Sequence, residues 1–428
     1  MIREELLKLS KEELVDMLLR LQRPDKTSRT SSKPPSSDRK QRREDSKPGG
    51  AKPGHDGHSR ALSENPDEFQ DHQPTHCPHC LLLFAADAKR ELIGEYDEIE
   101  LPPVRPFVRR HRRYAIHCQC CAQSTPAPMP AVVKGTPFGP RIHAQAIYLK
   151  SVQALSYERL RKAFLDMFGL VISEGAIMNM LRRMSAAFEE RRQNALAVLR
   201  QAEFVASDET GMRIEAVNGY QWVFHCKNAV VHLASFTRSA SVVREAMAGH
   251  RPKVWSSDRY GGQQGHAQAH QTCLAHLDRK ARYVDENSQD DTAMRLKLWL
   301  DRAFALAREI TQLAASTVRT KQRRLERDID AILRTPTSCA LSAELIGQFA
   351  RARDQLLTFC RYPGEVGPTN NDCERDLRPS VVQRKVTNGH RALWAAEAET
   401  AVRTTLDTAR LAGAAPIPFQ RRRALLRT

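Results

Sequence analysis

The chain has 428 residues and a formal net charge of +17. That length exceeds one ordinary domain and allows a sizeable core, while the excess of lysine and arginine favours a polyanionic partner such as nucleic acid. No run of about 18 apolar residues occurs, which argues against a membrane-spanning helix, and the start, MIREELLKLSKEEL, carries acids where a secretory signal would be apolar throughout. A cytoplasmic location follows, so the ten cysteines read as metal ligands or buried thiols rather than disulfides. Residues 1–22 place Leu7, Leu14 and Leu21 at sevenfold spacing, which predicts an amphipathic helix that pairs as a coiled coil or packs on its own domain. Residues 23–62 hold almost no large apolar side chains. Such a stretch buries too little to offset ordering entropy and reads as a basic tether whose Lys and Arg can meet phosphates.

Residues 63–124 carry Cys77-Pro-His-Cys80 and Cys118-Gln-Cys-Cys121. Two CxxC pairs match the tetrahedral preference of zinc, and a strand-like stretch from about 91 to 117 is expected to bring them together. Cys120 competes as a ligand, His76, His79 or His117 can replace one thiolate, and buried free thiols are the alternative. Residues 125–142 are rich in Pro and Gly and read as a linker. Over 143–202 the pattern is helical: Leu160, Phe164, Met167 and Phe168 form one stripe, Gly169 can end that helix, and Ser173 can cap a second with Ile177, Leu181 and Met184 inside. This is either a helix-turn-helix or plain helical packing. In the first case Arg182 and Arg183 are candidate phosphate partners.

Residues 203–289 begin the core. VASDET ends a short apolar run with Asp208 where a strand surfaces, and VWSSD repeats the arrangement at Asp258. Between them, GYQWVFHC and VVHLASFT read as an antiparallel ribbon, followed by a helix over about 240 to 249. Glu209 faces away from Asp208, because neighbouring strand residues point to opposite sides. Cys273-Leu-Ala-His276 follows, with too few partners nearby in sequence for a zinc site. Residues 290–362 are helical, with apolar positions for a core and basic outer faces available to DNA. Residues 363–410 bring Glu374, on a helix that Asn370 and Asn371 can cap, amid Arg375, Arg378, Arg384 and Lys385, which suit phosphate. The tail 411–428 is basic. Three acids, two at strand ends and one on a helix, predict an oxygen-ligand site for magnesium and in-line displacement at phosphorus.

The strings ASDETGMRIEAVNGYQWVFH, WSSDRYGG, HQTCLAHLDRKARY and NNDCERDLRPSVVQRKVTNGHRA, in this order, resemble the catalytic blocks of the DDE transposase of the insertion-sequence-sixty-six family. TSSKPPSSD and KPGGAKPGHDGHSR resemble segments that precede its zinc module. The resemblance implies a multidomain α+β protein: an RNase H-like α/β core with a helical insertion, preceded by a small zinc-binding module and a helical DNA-binding segment. It implies Asp208, Asp258 and Glu374 as the Asp-Asp-Glu triad, holding two Mg2+ ions for which Mn2+ can substitute, and structural Zn2+ on Cys77, Cys80, Cys118 and Cys121. The segment with His276 is then expected near the active site, where the imidazole positions a DNA phosphate. Met212 departs from the aromatic residue common there. The implied function is cleavage and strand transfer at element ends by a cytoplasmic, nucleoid-associated enzyme that is at least dimeric and aided by accessory proteins. The alternatives are a metal-dependent nuclease that does not join, or a silent DNA-binding derivative.

Overall fold

The computed structural model describes residues 10–11, 26–27, 30, 55–57, 60–101, 103–130 and 135–414. Leu7, Leu14 and Leu21 lie outside the described residues, as do most of the tether and the tail after 414. The described residues fall into two compact units, one within Lys40–Pro106 and one that includes everything described from Phe107 onward. In the first unit the chain is largely irregular, and Ile93 and Tyr96 are almost wholly exposed. The long strand expected from about residue 91 does not form. Pairing decides this: only Ala115–His117 (β1), in the second unit, finds a neighbour, Ser124–Pro126 (β2), with Ala115 opposite Pro126.

The second unit continues through Pro140–Ile147 (α1), a π-helical turn Tyr148–Val152, Tyr157–Phe168 (α2) and Glu174–Leu199 (α3). Ser156 Oγ accepts the Arg159 N–H at 3.3 Å and starts α2, and Gly169 ends it at φ 62°. Ser173 Oγ accepts the Ala176 N–H at 3.1 Å and starts α3. Leu160, Phe164, Ile177 and Met180 are buried between the two helices. Met167 is 62% exposed, because a stripe through 160, 164 and 168 turns it outward. The far end of α3 buries Leu196 and Leu199 with Trp222 and Trp255, so one helix serves both the helical segment and the sheet.

That sheet has five strands in the order β5-β4-β3-β6-β7: Phe204–Ile214 (β3), Val217–Cys226 (β4), Ala229–Ser235 (β5), Val254–Ser257 (β6) and Ala269–Thr272 (β7). β3, β4 and β5 run antiparallel in sequence, while β6 is parallel to β3 and β7 parallel to β6. Aromatic and β-branched residues fill it, with Trp222, Val223, Phe224, Val230 and Val231 all buried. Ala240–Met247 (α4) leads into β6. Leu274–Asn287 (α5), Thr292–Glu309 (α6), Ala315–Leu333 (α7) and Ala340–Ala352 (α8) build a separate helical core around Leu296, Trp299, Ile329 and Phe349. Asn371–Thr387 (α9) returns to the sheet, and Leu393–Leu411 (α10) lies along β5, where Thr404 and Thr408 hydroxyls accept the His232 and Val230 N–H groups at 2.9 and 3.1 Å. The helix thus satisfies an edge strand that would otherwise expose its backbone.

Candidate active site

Backbone register brings the first two acids near each other. β3 and β6 pair in parallel with Ala206 opposite Ser256, and Asp208 and Asp258 each follow two residues further on, near enough that the Asp258 carboxylate raises that of Asp208. Asp258 follows the last residue of β6, and its Oδ1 accepts the Tyr260 N–H at 2.9 Å. Glu374 comes from the first turn of α9. Asn370 occupies the N-cap position, yet its side chain does not cap: Nδ2 donates to the Ser207 carbonyl at 2.7 Å, while its own N–H donates to Cys273 Sγ at 3.2 Å. The capping expected of Asn370 is therefore replaced by a tie from the start of α9 to β3, which carries Asp208.

Glu374 is held from α5. Arg279 Nη2 lies 2.9 Å and His276 Nε2 3.6 Å from its Oε1, two residues three apart that share one helix face. The sequence points to His276 but not to Arg279, although its spacing of three from His276 on a helix is a usable signal. Cys273 Sγ, a ring nitrogen of His276 and a Glu374 oxygen lie within 4.8 Å of one another. The Cys-His pair that lacked partners in sequence thus gains one from an element about 100 residues on.

The electrostatics are those of acid crowded on acid. Burial, then the Glu209 and Asp258 carboxylates, push the Asp208 carboxyl up to about 8, with Glu374 adding to the effect. Burial and then the Arg279 guanidinium lower the His276 imidazole below its usual range. Asn370 Oδ1, in a side chain that is almost fully buried, has no hydrogen-bond partner. Asp208, Asp258 and Glu374 offer hard oxygen donors, and Asp208 lacks a cation of its own, whereas the donor atoms that close to within 4.8 Å of one another among the described residues are those of Cys273, His276 and Glu374. A divalent cation such as Mg2+ fits the oxygen donors.

The other expected contacts are distributed around this cluster. Arg384 Nη1 donates to Thr210 Oγ1 at 3.3 Å, two residues beyond Asp208 on β3. Arg375 is exposed and pairs with Asp372 at 3.2 Å, whereas Arg378 and Lys385 are exposed with no carboxylate partner among the described residues. Arg182 lies over the Trp394 ring at 5.6 Å, and Arg183 donates to the Gly135 carbonyl. Neither contact involves the carboxylates.

Each CxxC pair makes its own turn, and the two turns are alike. The Cys77 N–H donates to the Leu82 carbonyl and the Leu81 N–H to the Cys77 carbonyl, both at 2.9 Å; Cys118 with Gln123 and Ala122 repeats both bonds at 2.9 Å. Leu81 and Ala122, each just after the second cysteine, share a left-handed backbone at φ 60° and 54°. Backbone N–H groups of His79 and Cys80 lower the Cys77 thiol, and those of Cys121 and Cys120 lower the Cys118 thiol, which favours the thiolate that metals bind.

A family model described as Transposase IS66 family matches residues 135–398, a span that includes all three acids and neither cysteine pair. No curated protein matches the chain. Among the described residues no helix is long and apolar enough to cross a membrane.

Proposed function

Because the chain belongs to the transposase IS66 family, we propose that it cuts DNA at the ends of an insertion sequence and joins the freed strand to a target, with Asp208, Asp258 and Glu374 as its catalytic acids. The observation that supports this most is the convergence of the three from β3, the end of β6 and α9, together with the upward displacement of Asp208 to about 8. Two Mg2+ ions on these acids, or Mn2+ in their place, supply Lewis-acid stabilisation and an activated water. The strand order, with three antiparallel strands followed by two parallel ones, agrees with an RNase H-like core.

The chain's own residues orient and neutralise. In the first step a water oxygen attacks an end phosphodiester in line, and the bond to the 3′ oxygen breaks to leave a 3′ hydroxyl. In the second step that hydroxyl attacks a target phosphodiester in the same manner. Asn370 and Arg279 fix where Glu374 stands, and His276 sits beside its carboxylate within reach of a phosphate. Arg375, Arg378, Arg384 and Lys385 line α9 as backbone contacts, and Arg182 and Arg183 serve the helical segment. The matching turns support each of the pairs Cys77–Cys80 and Cys118–Cys121 as thiolate donors for structural Zn2+ in a DNA-binding module. Synapsis of two ends calls for at least a dimer, with accessory proteins of the same element, in the nucleoid.

The test is magnesium-dependent cleavage and joining on DNA that carries the encoding element's ends, for the wild type and Asp208→Asn. Joined products from the wild type alone are expected. Cleavage without joining indicates a nuclease instead, and binding without cleavage by either protein, accessory proteins present, leaves only a DNA-binding role.

A further inference from the structure

Glu209 points away from the triad and performs a different task. It shares its face of β3 with Ser207, whose Oγ accepts from Trp255 Nε1 at 2.8 Å and donates to Gln263 Oε1 at 2.6 Å. Gln263 Nε2 in turn donates to Glu209 Oε2. The Glu209 side chain is only 2% exposed, and a buried carboxylate is costly without a cation. Arg238, on the loop between β5 and α4, supplies it: Nε donates to Glu209 Oε1 at 2.6 Å, and Nη2 reaches the same oxygen.

A counterion need not be held any further, yet Arg238 is. Its guanidinium lies over the Tyr260 ring at 3.7 Å, and the Tyr260 hydroxyl donates to the Arg238 carbonyl at 2.7 Å. The Tyr260 N–H is the one that donates to Asp258. One residue therefore positions Arg238 and a triad acid together. The Arg238 side chain remains 41% exposed, and its Nη1 has no protein partner among the described residues. A guanidinium fixed along one edge and over one face, with its other edge open, is prearranged for a phosphate oxygen.

We propose that Arg238 forms a phosphodiester subsite beside Asp258, with Glu209 and Tyr260 as its positioning residues; this rests on the reading of the carboxylate cluster as a DNA-processing site. The subsite neighbours the acids and would take a backbone phosphate of the strand being cut. It contacts no base and confers no sequence preference.

The test uses the full chain and an end-bearing duplex, first over a salt series with Ca2+ to measure binding without turnover, then with Mg2+ for kcat and KM. Arg238→Gln leaves Glu209 buried and unpaired and can unfold the protein, so the decisive variant is Glu209→Gln/Arg238→Gln, which removes both charges at once. Its salt dependence is expected to lose about one unit of slope, and its KM to rise about tenfold with a smaller change in kcat. Glu209→Gln alone, which keeps the arginine but loosens it, should raise KM less and leave the slope unchanged. If the folded double variant matches the wild type in slope and KM, Arg238 is a counterion only and the subsite is refuted, whether or not the wild type cuts. If the slope falls while the wild type never cuts, the subsite stands and the transposase reading fails.

Discussion

Two of the three acids on helix α9, Glu374 and Asp376, stand two residues apart and have opposite fates. Glu374 enters the crowded cluster of Asp208 and Asp258, whereas Asp376 turns to the other side, where His225 Nδ1 lies at 2.8 Å and Arg410 Nη2 at 2.6 Å. Behind the sheet the same pattern recurs: Asp407 meets His232 at 2.9 Å, and Glu399 accepts from Ser151 Oγ at 3.0 Å with Arg403 at 3.6 Å. Burial raises the Glu399 and Asp407 carboxyls, but Lys150 and Arg403 bring Glu399 below its ordinary value and His232 does so for Asp407. Asp208 is comparably buried and moves the opposite way, to about 8. Structural acids receive their cations from the chain. In the cluster Glu374 has Arg279 but Asp208 has no cation among the groups that act on it, which is the condition under which a cation from solution binds.

Removal of one acid from each region sharpens the contrast. Glu374→Gln should lower magnesium-dependent cleavage by about a thousandfold or more while stability falls by no more than about 1 kcal/mol, since the loss of Arg279's ion pair is offset by relief of the like-charge contact with Asp208. A large drop in melting temperature would assign Glu374 to the scaffold. Glu399→Ala should do the reverse, because Lys150 and Arg403 are left buried without their carboxylate. A loss of about 3–5 kcal/mol in urea denaturation is expected. A cost below about 1 kcal/mol would show that the network is solvated and the comparison false.

The two regions also answer pH differently. The folded-state value of Asp208, about 8, lies above the unfolded carboxylate value near 4. The metal-free native state therefore binds more protons than the unfolded state between those limits, and stability falls as pH rises through that window, by at most about 1.4 kcal/mol per unit. Asp407 and Glu399, both lowered, contribute stability that is present above their unfolded values and lost only as pH falls through their folded ones. His270, held at about 3, and His276 and His390, also lowered, contribute a slope of opposite sign below their unfolded value near 6.5, so the slope between about pH 6.5 and 8 belongs to the cluster. Asp208→Asn should flatten it, and saturating Mg2+ should as well, as measured by melting temperature in chelator and in Mg2+. A flat wild-type curve in chelator would contradict the crowding.

The core strands were legible where side chains alternate or crowd with β-branched and aromatic residues, as in VNGYQWVFHC and AVVHLAS. β7, with the sequence AHQT, has no such pattern and exists because β6 offers it a parallel partner. Helix α10 escaped notice for another reason: much of its buried face is Thr400, Arg403, Thr404 and Asp407, which an apolar stripe cannot reveal. The strand read from about residue 91 failed in the other direction, with suitable residues and no partner strand. At the site, acids at strand ends were visible in the sequence, but the groups that hold them were not. Arg279, the true contact of Asn370 and the Glu209–Arg238 pair depend on elements that meet only in the fold.

The smallest expected effects concern the basic residues, and they extend the same distinction between groups with and without a structural partner. Lys385 is exposed without a carboxylate partner among the described residues, whereas Arg182 lies over Trp394. Lys385→Ala should reduce the salt slope of DNA binding by about one and weaken all duplexes alike, without change in melting temperature. Arg182→Ala should in addition lose about 0.5–1 kcal/mol of stability, the worth of an exposed cation–π contact. If Arg182→Ala costs stability and leaves the salt slope intact, the helical segment meets its own α10 through that arginine rather than DNA. The phosphate contacts would then concentrate on α9 and around the carboxylates, where Arg378 and Lys385 share the helix that brings Glu374 to Asp208 and Asp258.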